Sequence, residues 1–452
     1  MLATNKRILQ HVFNVLDRAG FSYVNHTLNE NWSLLWAHEY PFNKKNAYMF
    51  KNKKAYQKVN KIPGMSILTK KLSLVNSGMS YIPKAFNIPD GLPELKEYSK
   101  KHTQLMFVHK NAGHRGIEIK TPEEILATTD TDIKSFAQVY ITNPLLIDGY
   151  KFDIGVYVIV SSISPLRVYI YEDDAQFRFC QKKYFPFDKN DVHKYVVGAS
   201  FRPIWKVPSL AKLYKEFDFT KRGAFDSHLR SLGKDPNRIW DKIYHIIQET
   251  FLKHANKLAE IMKEYRDPNS FFELVRFDFI LNSSLNVYLM EVNMSPNLSS
   301  SHYPEQATMY EQVIYNALRL VNVARGGIIR DSLQVRSVEE RRMQVSERDI
   351  AVSLRTCSSS QCNKVHNSCK KAQCQLCKKC LSSTELTSFH LAYLEYYNRH
   401  ACKRLIPKPF NTRNEAEAAK SNTTYYANLS QVNYKMHHWF LEKCLQNKKW
   451  CE

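Results

Sequence analysis

A chain of 452 residues is long enough for two or three hydrophobic cores, and its 44% hydrophobic content is that of a folded protein. The longest apolar run, around FDIGVYVIV, is too short and too interrupted to span a bilayer, so no membrane segment is read in this chain. A net charge of +22 favours anionic partners, yet no common nucleic-acid motif accompanies it and nucleic acid is not expected.

The N-terminal stretch predicts an amphipathic helix over residues 4–18, without the apolar core and cleavage site of a signal peptide. Gly20, a strand at FSYVNHT and the segment WSLLWAHEYPF follow. A unit of this kind that opens on a helix lacks its first strand, so the chain is expected to begin upstream of Met1. Residues 47–95 are basic and loop-rich, broken by Pro63, Pro83, Pro89 and Pro93. Strand-and-turn units come next in LMFVHKNAGHRGIEI and in SFAQVYITNPLLIDGYKFDIGVYVIVSSI. A helix is predicted over residues 236–264, with Ile239, Ile243, Ile246, Ile247 and Phe251 on one face. LVRFDFIL and VYLMEVN read as a hairpin across NSSLN, and a helix over QATMYEQVIYNALRLVNV closes the globular part. Beyond Gly326 periodicity fades and a basic, cysteine-rich tail begins.

The hairpin carries the chemistry. Side chains alternate along a strand, so Glu291 and Asn293 share a face about 7 Å apart, and Arg276 and Asp278 share one on the partner. Three oxygen donors, Asp278, Glu291 and Asn293, then suit a hard cation such as Mg²⁺; a buried carboxylate answered by an arginine is the alternative. In GYKFDIGVYVIV, Lys151, Asp153 and Gly155 face one way, which reads as a phosphate-and-metal arrangement or as a neutralised ion pair. Lys110 precedes a turn with Gly113 and Gly116, able to lay backbone N–H groups over phosphates.

Of the ten cysteines, Cys180 stands apart. Cys357, Cys362, Cys369, Cys374, Cys377 and Cys380 cluster, with Cys402, Cys444 and Cys451 trailing. The spacing suits zinc, with His366 as a further ligand, in a reducing compartment, or disulfides in an oxidising one. Sequons at Asn25, Asn31, Asn282, Asn293, Asn297, Asn422 and Asn428 lean toward the second.

Residues 14–323 resemble the tubulin–tyrosine ligase-like family of ATP-grasp amino-acid ligases. QVYITNPLLIDGYKFDIGVYVIV is similar to the family pattern Q-x-Y-I-x-x-P-L-L-I-x-G-x-K-F-D-[IL]-R-x-Y. FFELVRFDFILNSSLNVYLMEVNMSPNLSS is similar to F-E-L-x-G-x-D-x-x-[LV]-D and L-L-E-V-N-x-x-P-S, and LTKKLSL and YIPKAFNIP look like its central segment. The resemblance implies a mixed α/β (α+β) fold with an ATP-grasp catalytic core. A partial small α/β unit over residues 1–60 would precede subdomains at 61–135 and 136–325, with the cysteine-rich tail at 326–452.

It further implies an ATP-dependent ligase that activates a carboxylate as an acyl-phosphate and adds an amino acid, glutamate by preference, to an acidic protein tail such as that of tubulin. ATP and Mg²⁺ would be the cofactors and the location cytoplasmic and microtubule-associated, or lumenal or extracellular if the tail is disulfide-bonded. By position, Lys71, Lys110, Arg115, Lys151 and Asp153 would serve ATP, with Gln138, Tyr140 and Ile141 beside the adenine. Asp278, Glu291 and Asn293 would hold Mg²⁺, and Arg178 and Lys151 would act in catalysis. Departures from the family point the other way. Its K-F-D-[IL]-R reads KFDIG, with Gly155 for arginine; Arg115 or Arg167 is the candidate substitute. The H-L-T-N segment is matched only by HKYV at His193, and Glu118 falls where a glycine is expected. A catalytically impaired module that binds nucleotide or a partner is therefore the alternative.

Overall fold

The computed structural model describes residues 8–23, 32–44, 46–54, 56–111, 116–127, 135–198, 200–324, 343–363, 368–421 and 429–452. In chain order the strands are β1 (Leu34–Leu35), β2 (Lys58–Val59), β3 (Ala85–Ile88), β4 (Phe107–Asn111), β5 (Ile117–Lys120), β6 (Ser135–Val139) and β7 (Leu146–Ile147). They continue with β8 (Tyr150–Ile163), β9 (Leu166–Tyr171), β10 (Gln176–Phe179), β11 (Arg202–Pro203), β12 (Glu273–Leu281), β13 (Val287–Asn293) and β14 (Cys402–Ile406).

The near-continuous apolar run of β8 makes it the axis of an eight-stranded sheet, because only a strand covered on both faces buries such a run. β12 pairs along one edge of β8, with β13 beyond it. β10 and β9 share the other edge, one at each end. Phe152, Ile154, Val156 and Val158 join one core cluster, while Tyr157 and Ile159 join another, as period-two alternation requires. The helix Asn237–Met262 belongs to the first cluster through Ile239, Ile243, Ile246, Ile247 and Phe251, the face expected from sequence. The helix Ala307–Leu320 belongs to the second, and Gln10–Arg18 packs on it; His11, Asn14 and Arg18 all bond Glu311.

A separate four-stranded antiparallel sheet, in the order β3-β6-β4-β5, carries Lys110 and Gln138. β1 and β2 form a parallel pair. No strand forms over Phe21–Tyr23; the rest of FSYVNHT, with Gly113, Arg115 and His366, lies outside the described residues. Among the described residues no helix is long and apolar enough to cross a membrane.

The tail departs from its sequence reading. It has a core of its own around Phe389, Met436, Trp439, Phe440 and Trp450, and β14 pairs antiparallel with β9, so the tail extends the main sheet. Its cysteines form disulfides, Cys357–Cys377, Cys362–Cys374, Cys369–Cys380 and Cys444–Cys451, and the zinc alternative falls with them. Cys180 and Cys402 are free and buried.

Candidate active site

The site lies on the face of the main sheet that carries Lys151, Asp153, Gly155 and Asp278. Cross-strand register sets it: Arg178 of β10 is opposite Asp153, and Asp278 of β12 is opposite Gly155. On the far edge Glu291 faces Asp278 and Asn293 faces Arg276. A bulge makes this last pairing serve both faces. Phe279 pairs with Leu289 and Asp278 with Glu291, so Met290 is the extra residue. Leu289 enters the core behind the sheet while Glu291, two residues on, faces the site.

Charged groups alternate across the strands. Arg178 donates Nε and Nη2 to the two oxygens of Asp153, at 2.8 and 2.9 Å. Its Nη2 also reaches Asp278 at 2.9 Å. Arg276 closes on Asp278 with Nε at 2.6 Å and Nη2 at 2.8 Å. Asn293 Nδ2 bonds both Asp278 and Glu291 at 3.1 Å, and Lys71 reaches Glu291 at 3.0 Å. Burial alone would raise the Asp278 carboxyl, but the guanidinium groups of Arg276 and Arg178 outweigh it and hold it well below the usual range. Asp153 has less help; burial prevails over Arg178 and pushes it up to about 6.

Lys110 and Lys151 form no ion pair among the described residues. Burial, then repulsion from Lys71 and Lys151 only partly offset by Glu291, takes Lys110 down to about 8. Burial also lowers Lys151, whose Nζ donates to the Tyr195 carbonyl at 2.8 Å and lies 5.0 Å from the centre of the Tyr140 ring. Lys71, Lys110, Lys151, Arg178 and Arg276 thus outnumber Asp153, Asp278 and Glu291. Such an excess suits a polyanion that brings its own metal.

Beside the lysines the walls turn aromatic. Tyr140, Tyr184 and Tyr195 cluster with Ile119, and the Tyr140 hydroxyl donates to that of Tyr184 at 3.1 Å. A cleft of about 800 Å³ opens along β5 and residues 189–196, lined by Ile117, Ile119, Tyr195 and Val196 and by the charged Glu118, Lys120, Glu124 and Lys189. Its size and lining suit a flat heterocycle. Of the residues assigned to the adenine, Gln138 is committed to the Pro83 carbonyl at 3.1 Å and the Tyr140 N–H to that of Met106 at 2.8 Å. Ile141 follows on the link toward β7. Sequence reading missed Tyr184 and Tyr195; the aromatic spacing in KKYFPFDK and HKYV was their only signal.

One expectation is corrected. Arg167 is no substitute for the missing arginine: it sits opposite Ser162, at the other end of β8 from Gly155, bound to Glu395 at 2.8 and 3.1 Å. Glu118 is exposed, paired with Lys120 at 2.8 Å, and lines the cleft.

For Mg²⁺ the donor set fits in chemistry: Asp278, Glu291 and Asn293 carry hard oxygens on adjacent strands, with the Asn293 amide now turned so that its Nδ2 bonds both carboxylates. Both Asp278 oxygens already accept from guanidinium groups, so Glu291 is the less committed carboxylate. No group of three or more His, Cys, Asp or Glu able to hold a metal ion occurs among the described residues. A cation there would need phosphate oxygens to complete its shell.

A sequence model of the Tubulin-tyrosine ligase family matches residues 36–326. Over 98% of its length the chain is 35% identical to "Probable tubulin polyglutamylase ttll-15" of Caenorhabditis elegans, covering 84% of that protein. It is 28% identical to mouse "Tubulin polyglutamylase TTLL6" over 65% of this chain and 37% of that protein. The figures for human "Tubulin monoglutamylase TTLL4" are 28%, 65% and 25%. The chain spans most of the nematode protein but well under half of the mouse and human ones.

Proposed function

The chain belongs to the tubulin–tyrosine ligase family, and from that premise we propose that it is an ATP-dependent ligase joining glutamate to an acidic protein tail. The observation that carries the reading is the surplus of buried and half-buried cations around Asp153, Asp278 and Glu291, next to a cleft that Tyr195 joins to the Tyr140–Tyr184 cluster. MgATP complements that surplus, and the relatives named as glutamylases make glutamate the amino acid and tubulin the acceptor to try first.

In this reading an oxygen of the acceptor carboxylate attacks the γ-phosphorus of ATP. The bond to the bridging oxygen breaks, ADP leaves with the electron pair, and an acyl-phosphate forms. The glutamate amine then attacks the acyl carbon, the amide bond forms, and phosphate leaves together with the surplus proton. Lys110 and Lys151 would neutralise the phosphates, Arg178 the charge developing on the transferred group, and Lys71 would hold Glu291 until the metal arrives. Mg²⁺, held by Glu291, Asn293 and Asp278, would supply charge neutralisation at the phosphate oxygens. The net charge of +22 favours an acidic acceptor.

Three observations favour other readings on particular points. Gly155 and the full engagement of Asp278 by guanidinium groups favour a binding module that keeps nucleotide without transfer. The four disulfides favour an oxidising compartment, where the acidic acceptor would be a lumenal or extracellular protein instead of tubulin.

Calorimetry with MgATP on the wild type and on Glu291→Gln tests the reading, followed by transfer of labelled glutamate to tubulin and to acidic lumenal proteins. Binding that weakens at least about tenfold in the variant, with transfer by the wild type, supports the ligase. Binding without transfer to any acceptor selects the module.

A further inference from the structure

Gly155 sits in ordinary extended backbone, so only space restricts what stands there. A Cβ at this position would meet Cδ of Arg276 at 2.9 Å, its Nε at 3.1 Å and Asp278 Oδ1 at 3.2 Å. The volume beside Gly155 is already filled by an arginine from the neighbouring strand. Arg276 has Tyr157, not Gly155, as its direct cross-strand partner, and its side chain leans along β8 to reach Gly155. Adjacent strands lie about 4.8 Å apart, a gap an arginine spans easily.

Three details make this corner more than filled space. Nε and Nη2 of Arg276 are locked on Asp278, whereas Nη1 has no acceptor among the described residues. Gln176, which pairs with Gly155 from β10, is 1% exposed, and neither its amide nitrogen nor its oxygen has a partner among the described residues. The Tyr157 hydroxyl is buried and, among the described residues, unpartnered as well. Buried polar groups left unpaired are rare and normally meet a ligand or water. Here they flank one guanidinium.

In the family patterns quoted above, arginine stands where this chain has Gly155, and glycine stands where it has Arg276. We propose that these two positions have exchanged residues across adjacent strands. Arg276 then presents to the γ-phosphoryl group, from β12, a guanidinium in the space beside the position where the family pattern has arginine on β8, with Gln176 and Tyr157 completing the anion-binding corner. This rests on the ligase reading. The exchange answers the main argument for an inert site, because the charge is relocated and not lost. Two arginines do not fit, since a side chain at 155 would collide with the stem of Arg276. The bidentate lock on Asp278 fixes Arg276 before substrate arrives, which is what a preorganised charge requires.

The test compares Arg276→Gly, Gly155→Arg, the double exchange and Gln176→Leu. Each is read by thermal melting, by calorimetric affinities for MgADP and for the non-hydrolysable analogue MgAMPPNP, and by glutamate transfer. Arg276→Gly should lose about tenfold or more in MgAMPPNP affinity with little change for MgADP, and about 10²–10³ in transfer rate. The double exchange should restore the MgAMPPNP preference, while Gly155→Arg alone should not have it. Gln176→Leu removes an unsatisfied buried amide, so it should melt higher yet bind MgAMPPNP more weakly, a pairing that a purely structural residue would not give. The inference is overturned by an Arg276→Gly chain that keeps the wild-type MgAMPPNP to MgADP ratio. A double exchange that melts like the wild type without regaining that ratio also overturns it. MgAMPPNP preference without transfer to any acceptor sinks the ligase reading alone, and no nucleotide binding by the wild type sinks both.

Discussion

Lys110 shows how much one residue's surroundings determine. In sequence it is a lysine at a strand end; in the structure burial and two neighbouring lysines bring its ammonium down to about 8. A bound phosphate favours the charged form and raises that value, so nucleotide binding takes up a proton above about pH 8. Affinity for MgATP should therefore fall as pH rises from about 7 to about 9, and the binding enthalpy should depend on the buffer. Lys110→Arg, charged throughout, should flatten the slope. A wild-type affinity that does not change over this range would remove Lys110 from the phosphate site. The chemical identities were legible at this scale, since Lys151, Asp153, Asp278, Glu291 and Asn293 announce themselves as polar groups in apolar strands. Their partners were not. A carboxylate beside two arginines and one beside a metal have the same local sequence, and only the register of β8, β10 and β12 separates them.

At the scale of elements, β8 joins two places with different tasks. Its first half bears the site; its last residues bear the attachment of the tail, where Arg167, Glu395 and the Tyr169 hydroxyl form a buried network. Glu395→Ala leaves the Arg167 guanidinium buried without its partner and should cost about 3–5 kcal/mol of stability in denaturant unfolding. MgATP affinity should not change, because the site is at the opposite end of the strand. Replacing both residues by apolar ones of similar size should recover much of the loss. The bulge in β13 is the second element-level device. In a regular strand that kept Met290, alternation would send Glu291 and Asn293 to the core side with Leu289; because Met290 is the extra residue, deleting it leaves Leu289 and Glu291 adjacent on opposite faces and should preserve MgATP binding. A deletion variant that binds no MgATP would show that the bulge does more than set the facing. Helix and strand positions in this region followed from periodicity, but the bulge did not, since VYLMEVN reads as a regular strand.

For the whole molecule, the tail is the largest revision. Its helix Ser383–Asn398 buries Ser388, His390 and Glu395 against the rest of the protein, and this mixture of polar and apolar contacts hides the 3.6-residue period by which a helix is found in sequence. The disulfides make a direct prediction. The unreduced protein should be lighter than the reduced one by two hydrogens for each of the four bridges, and only Cys180 and Cys402 should alkylate on unfolding without reductant. Reduction should loosen the tail, each bridge contributing about 2–4 kcal/mol in a chain-entropy account. A protein isolated with all thiols free would overturn both the bridges and the oxidising compartment they favour.

By itself the sequence determined the alternation that puts Lys151 with Asp153 on one face of β8 and Glu291 with Asn293 on one face of β13, the apolar run that makes β8 central, and the helix that covers it. These are local properties, set by the period of the backbone and the cost of burying polar groups. Tertiary structure alone decided that Arg276 fills the space beside Gly155, that Arg167 serves the tail and not the site, which cysteines pair, and that β14 joins the main sheet. Each is a contact between residues far apart in the chain or on different strands. No local preference specifies such a contact; it follows from register, volume and the need of every buried charge for a partner.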